Sequence, residues 1–422
     1  MKPRITRRRA LIAFFGIVAL YFAFREFKGD VIDWYAHSHF VRTAAYVASD
    51  SPDQICLTWS DDPRTTQTIQ WRTATSVMEG SVEYREGGPG EDNLLKAKAD
   101  RKVVEDVLLQ NDPLNHRFTA VLRDLKPDTT YAYRVGNAAQ NTWSEWAEFK
   151  TAPEAPRPFS FTYLGDPQKG LDSWGRLMQA AQEQYSSTAF YLIAGDLIND
   201  GGWRNEWDHF FRVSRGIFDR RPLVPVLGNH DYSYDEVPQL YLDLFSLPLN
   251  GPADFPPERA YSFTYSNALF VVLDSNLPVE DQAPWLEEQL SESTATWKFA
   301  AYHHPAFPSA PHRRNVDVRD IWGAIFDKYH VDMALQGHDH AYLRTYPMRG
   351  GERAASAKEG TYYVVSVSGT KFYDQEPHDY AEVAFPDVMT YQTIDIGMNP
   401  DTLTYRAYDM EGKLRDEVVI TK

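Results

Sequence analysis

The chain has 422 residues, 43% of them apolar and 24% charged, with a formal net charge of −16 and a single cysteine. That length allows two or three domains, and the composition is that of a globular rather than a disordered protein. The acidity argues against a nucleic-acid scaffold, and one cysteine, Cys56, excludes an internal disulfide and a cysteine-rich zinc site.

The charge is uneven. Residues 1–28 hold seven basic side chains against Glu26 alone, so the rest of the chain is more acidic than the whole. After "RITRRR" comes "ALIAFFGIVALYFAF", residues 10–24, without a charge. As a helix this run spans about 22 Å, short of the roughly 30 Å hydrocarbon core, which suits a signal-peptide core or a short anchor. No small-x-small cleavage site follows, since Tyr21, Phe22 and Phe24 precede Arg25. The expectation is an uncleaved N-terminal transmembrane anchor, basic end inside and the remainder delivered outside, periplasmic or extracellular; cleavage would make the protein secreted.

From residue 43 to 151 the pattern is all-β. Ile55, Leu57 and Trp59 alternate with polar or small neighbours, as do Ile69 and Trp71, then Phe118, Ala120 and Leu122. In "LKPDTTYAYRV" the spacing places Pro127 in a turn and Tyr131 at a strand start, which resembles the tyrosine corner of immunoglobulin-like and fibronectin III-like sandwiches. "TAPEAPRP", residues 151–158, is a proline-rich linker. Beyond it, apolar strands such as "FSFTYL", "AFYLIAG", "ALFVVLD" and "VDMALQG" alternate with helical patterns such as "SWGRLMQAAQEQ" and "VRDIWGAIFDKY". The tail, from "GTYYVVSVSG" onward, reads as strands in hairpin order.

Five of the apolar runs end in metal-ligating groups: Asp166; Asp196; Asn229, His230 and Asp231; His303 and His304; His338, Asp339 and His340. One carboxylate at a strand end is a turn residue; five such endings in one α/β region predict a ligand site at the carboxyl ends of the strands. Two closely spaced cations need a shared carboxylate with N and O donors on each side, and Asp196 is the natural bridge. In "GHDH" a turn brings the two histidines together, one for each ion. Asn229 offers a neutral amide oxygen and leaves room for a substrate oxygen, and His230 is placed to meet the substrate.

The series "GD…GD…GNHD…H…GHDH" resembles the calcineurin-like metallophosphoesterase superfamily, and the preceding sandwich resembles that of the purple acid phosphatases. The resemblance covers about residues 43–422. After the anchor or signal segment at 1–28, it implies two domains: an all-β fibronectin III-like domain at 43–151 and an α/β four-layer (α-β-β-α) metallophosphoesterase sandwich at 158–422. It implies two metal ions, of Fe, Mn or Zn: Asp166 and His340 on the first, Asp196 bridging, and Asn229, His303 and His338 on the second. It also implies a catalytic His230 oriented by Asp231, with His312 as a further histidine toward the leaving group. Asn229 and His304 are the expected substrate contacts, with steadying of the neighbouring His303 as the alternative for His304.

Two positions depart from the purple pattern. Asn199 stands where the family's metal-binding tyrosine falls, and Gln168 stands where non-purple relatives carry a histidine, so Gln168 is an expected amide ligand of the first metal. The function implied is hydrolysis of phosphate esters by a metal-bound hydroxide, as an acid-phosphatase-like phosphomonoesterase. A phosphodiesterase or nucleotide-directed phosphohydrolase is the alternative, and a surface-anchored binding protein that has lost catalysis is the rival from another class. Partners are a phosphate ester and, through the N-terminal segment, the membrane; the sequence does not give the oligomeric state.

Overall fold

The computed structural model describes residues 41–233 and 237–422. The anchor expected at 1–28 lies outside the described residues; among those described, no helix is long and apolar enough to cross a membrane.

The first domain is a sandwich of two antiparallel sheets. One orders Asp53–Thr58, Gln67–Thr73, Leu114–Leu122 and Asp100–Glu105. The other is built around Ser81–Glu86 and Thr130–Asn137. The alternating residues face inward as the period-two pattern requires: Leu57, Ile69, Trp71, Phe118 and Leu122 share one core with Val82, Tyr133 and Phe149. The Tyr131 hydroxyl accepts a 2.9 Å hydrogen bond from the Lys126 amide, closing the tyrosine corner. Trp59 then carries the sandwich onto the next domain, its ring 5.4 Å from those of Phe190 and Phe263.

The second domain stacks two larger sheets. The six-stranded sheet runs in the order Leu223–Pro225, Tyr191–Ile193, Phe159–Leu164, Thr390–Gly397, Thr402–Asp409, Leu414–Thr421. Its first three strands are parallel, and its last three form the antiparallel hairpins expected of the tail. The seven-stranded sheet contains the parallel set Ala268–Val272, Trp297–Ala301, Met333–Gln336 and Tyr362–Val365. Tyr362–Val365 therefore departs from hairpin order. Its continuous apolar run suits a buried strand, and it lies between Met333–Gln336, which it pairs in parallel, and Tyr342–Thr345, which it pairs antiparallel.

Aromatic side chains join the two sheets. Phe161 of the first meets Phe270 and Phe299 of the second edge-on at 5.1 and 5.2 Å. Helices cover the outer faces. Leu171–Gln184 and Arg204–Val213 bury Trp174, Met178 and Phe210 on one side. Val279–Glu292 and Gly323–Tyr329 bury Leu286 and Phe326 on the other. This gives four layers, α-β-β-α, and it aligns the parallel strands of both sheets so that their carboxyl ends meet.

Candidate metal centre

Each sheet delivers three ligand-type residues to that meeting line. From the six-stranded sheet come Asp166 after Phe159–Leu164, Asp196 after Tyr191–Ile193 and Asn229 after Leu223–Pro225. From the other come His303 after Trp297–Ala301, and His338 and His340 after Met333–Gln336. The backbone turns sharply there. Asp166, Asp196, His338 and His340 all have left-handed φ, at 51°, 52°, 75° and 46°, a strained choice for non-glycine residues and one that clusters at functional sites. The glycine before each turn has its own reason. A Cβ on Gly195, itself at φ +86°, would lie 2.5 Å from Nδ1 of His303, and one on Gly337 would lie 2.5 Å from Oδ2 of Asp166.

Two groups of donors form around one shared carboxylate: Asp196 with His303 and His338, and Asp196 with Asp166 and His340, each within 4.8 Å. The Nδ1 of His303 sits 2.9 Å from the Ala194 carbonyl and so carries the proton, which leaves the lone pair on Nε2. That lone pair faces Nδ1 of His338 at 3.1 Å, Oδ1 of Asn229 at 3.2 Å and Oδ2 of Asp196 at 3.3 Å. Likewise the Lys371 carbonyl, 3.1 Å from Nδ1 of His340, leaves Nε2 of that ring as the donor atom. Gln168 is buried beside it: Nε2 of its amide is 2.8 Å from Nε2 of His340 and 3.1 Å from Oδ2 of Asp196, and its Oε1 has no partner among the described residues. Turning the amide over brings that oxygen, a neutral metal donor, to the same point. Imidazole, amide and carboxylate atoms able to offer lone pairs, converging around one carboxylate, are the arrangement a cation satisfies.

The electrostatics agree. Burial pushes Asp166 well above the usual carboxylate range, with the charge of Asp196 adding to it. Burial opposes ionisation of Asp196 too, but His303 and His230 outweigh it and hold its pKa at about 2. The same carboxylate raises His303 to about 9 against the effect of burial. Burial and neighbouring cations hold His340 and His304 at about 3 and push His338 down as well, so these rings keep their lone pairs. A metal cation between the groups supplies the charge that Asp196 otherwise draws from a proton on His303.

Comparison with known proteins places this arrangement. The family profile "Purple acid Phosphatase, N-terminal domain" matches residues 52–151, and "Calcineurin-like phosphoesterase" matches residues 159–342. The two matches identify a domain of the purple acid phosphatase N-terminal type followed by a calcineurin-like phosphoesterase domain. An uncharacterized protein of Mycobacterium tuberculosis is 25% identical over 335 residues, covering 70% of this chain and 62% of its own length. The probable purple acid phosphatase 20 of Arabidopsis thaliana is 23% identical, covering 71% of this chain and 68% of the relative. The phosphoenolpyruvate phosphatase of Allium cepa is 25% identical, covering 70% and 63%. The chain thus spans a little under two thirds of the length of the first of these relatives. In fold it is similar to a purple acid phosphatase from yellow lupin (Lupinus luteus) seeds, with TM-score 0.77 at 19% identity over 88% of this chain and 74% of that one. It is also similar to PhoD, with TM-score 0.63 at 15% identity over 90% of each chain.

Within this phosphoesterase framework the remaining expected residues fall differently. His230 lies at the lip of the cluster, its backbone N–H donating to Oδ1 of Asp196 at 2.8 Å. Asp231 does not orient it. Fully buried, Asp231 accepts hydrogen bonds from the amides of Leu197 and Gly228, at 2.9 and 2.8 Å, so it braces two ligand loops. Within the short turn Asn229–Asp231 the Asp231 side chain is buried while His230 stays half-buried, so the orienting role that the resemblance implies for Asp231 is not the one it has here. The ring of His230 is held instead by the Asn199 carbonyl, 2.6 Å from Nδ1. His304 packs on His338 with ring centroids 4.2 Å apart and is tethered by Ser275 Oγ at 2.8 Å from its Nδ1. His312 is exposed and makes no contact with the cluster; the residue of that loop that reaches it is Arg313, whose Nη1 donates to the His338 carbonyl and to Asp339. Asp339 also accepts from the amides of Ser309 and Ala310, and so fixes the loop rather than joining either donor group. Arg313, Ser275 and the Asn199 carbonyl carried no sequence signal, because two act through tertiary contact and the third through its backbone.

Proposed function

We propose that the chain is a metal-dependent phosphoesterase that hydrolyses phosphate monoesters. The observation that carries this reading is the shared carboxylate: Oδ2 of Asp196 faces the Gln168 amide on one side and His303 on the other, between two donor groups. Asp166, Gln168, Asp196 and His340 would hold one ion, and Asp196, Asn229, His303 and His338 the other. When bound, two such ions neutralise charge on the phosphoryl group and activate water.

The protein's own groups do the rest. Asn229, exposed at the rim, leaves its amide N–H free to meet a phosphate oxygen. His230, with Nδ1 committed to Asn199, presents Nε2 outward and delivers a proton to the leaving oxygen as the P–O bond breaks and a water oxygen bonds to phosphorus. His304 steadies His338 by packing. Two donor groups built around one carboxylate, with only positions 168 and 199 departing from the family pattern, speak for catalysis over a binding role. The N-terminal segment supports an anchored protein with its catalytic domain outside the cytoplasmic membrane, which protease added to spheroplasts tests by cleaving the domain.

Turnover of p-nitrophenyl phosphate by the full chain supplied with Mn, Fe or Zn, lost in Asp196→Ala, is the result expected. Turnover of bis(p-nitrophenyl) phosphate in its place would move the assignment to a diesterase.

A further inference from the structure

Two cations stand beside the centre with donor groups that the roles above leave unused. The Arg313 side chain is 27% exposed and uses only Nη1 for hydrogen bonds, to His338 and Asp339, leaving Nε and Nη2 without a hydrogen-bond partner among the described residues. Lys371, half-buried, has no carboxylate within 4.0 Å of its Nζ among the described residues. Tyr373 joins them. Its ring centroid is 5.2 Å from the Arg313 guanidinium carbon and 4.8 Å from Lys371 Nζ, and the ring packs against His340 at 4.7 Å. The strip is fixed to the ligand loop at two points: the Tyr373 amide donates to the His340 carbonyl at 3.2 Å, and the Lys371 carbonyl pairs with Nδ1 of His340. The backbone of Lys371 and Tyr373 is therefore held against the ligand loop, and the Arg313 guanidinium is tied to that loop through its own Nη1.

A chain with a net charge of −16 repels anionic substrates, and the scissile phosphate already has the metal centre for its charge. An unpaired lysine and a half-used arginine beside that centre suit a further negative charge on the same molecule. We infer that Arg313 and Lys371, set around Tyr373, form an anion-binding rim for a second anionic group of the substrate, a phosphate or a carboxylate close to the scissile phosphate. This rests on the phosphoesterase reading and narrows its substrate class.

The test compares kcat/KM of the metal-loaded full chain for p-nitrophenyl phosphate, inorganic pyrophosphate and phosphoenolpyruvate, in the wild type and in Lys371→Met, Lys371→Arg and Arg313→Gln. The wild type should favour one or both of the doubly anionic substrates. Lys371→Met should lower that preference about tenfold relative to p-nitrophenyl phosphate, the effect of one charge-assisted hydrogen bond, and Lys371→Arg should restore it. Loss for pyrophosphate alone assigns the second group as phosphate, and loss for phosphoenolpyruvate alone assigns it as carboxylate. Lys371→Met is the deciding variant, because Arg313 also ties the ligand loop. A preference that is absent in the wild type, or unchanged in Lys371→Met while p-nitrophenyl phosphate is still hydrolysed, would overturn the rim and leave the phosphoesterase standing. No hydrolysis of any of the three would instead overturn the phosphoesterase reading.

Discussion

Nδ1 of His230 lies 2.6 Å from the carbonyl oxygen of Asn199, so a backbone group rather than the adjacent Asp231 sets the orientation of that imidazole. The two neighbours should therefore fail differently. His230→Ala should lower the rate of ester hydrolysis by about 10²–10⁴ with metal content and Tm kept, since proton delivery alone is lost. Asp231→Ala leaves two buried amides without an acceptor and should destabilise the fold by about 1–3 kcal/mol for each, read as a fall in Tm.

The glycines before the ligands should be intolerant. Gly195→Ala combines a left-handed backbone with a Cβ pressed on the Nδ1 of His303, a strain of about 1–2 kcal/mol from the backbone and about 1–3 kcal/mol from overpacking. Gly337→Ala presses on Asp166 without the left-handed φ. Both should lose bound metal by elemental analysis, Gly195→Ala with the larger fall in Tm.

Asn199 and Gln168 predict colour and metal preference. A neutral amide gives no phenolate-to-Fe(III) charge transfer, so the iron-loaded protein should show no intense visible band and its first site should prefer divalent ions. Tyr232 and Tyr342 are no substitutes, because their hydroxyls are bonded to Asp274 and Asp416. An intense band would refute this reading and direct attention to Tyr373 beside His340. Gln168→Ala should weaken metal binding and Gln168→His should keep or tighten it; no change in either would reduce Gln168 to a turn residue.

Much of this was legible in the chain. The five strand endings are local signals, in which an apolar run meets Gly and then a ligand, and each of those strands formed. The sandwich announced itself through period-two alternation and Tyr131. What stayed hidden depends on distant contact. Nothing local tells that Asp231 turns inward toward Leu197 and Gly228, that Arg313 rather than His312 reaches His338, or that Tyr362–Val365 pairs in parallel across the sheet. The same holds for Arg42, which reaches across to the loop after Asp196: its guanidinium carbon lies 4.8 Å from the Trp203 ring centroid and its Nη1 2.5 Å from Oδ1 of Asn205.

Cys56 offers an internal gauge of folding for every variant. It is fully buried, and burial pushes its thiol up to about 12. The native protein should resist iodoacetamide at pH 8, and unfolding in guanidinium should add one adduct by mass spectrometry. Labelling of the native wild type would contradict the packing at the domain junction.

The central claim is that Asp196 bridges two metal ions used for phosphate ester hydrolysis. The most direct measurement strips the full chain with a chelator, reloads it with Mn, Fe or Zn, and follows metal per chain together with p-nitrophenyl phosphate turnover, in the wild type and in Asp196→Ala, Asn229→Ala and His338→Ala. The account predicts two ions per reloaded wild-type chain, turnover that disappears on stripping and returns on reloading, and loss of both ions and turnover in Asp196→Ala; Asn229→Ala and His338→Ala should lose turnover and bind less metal. Full turnover in the stripped protein, or in His338→Ala or Asn229→Ala, would contradict it.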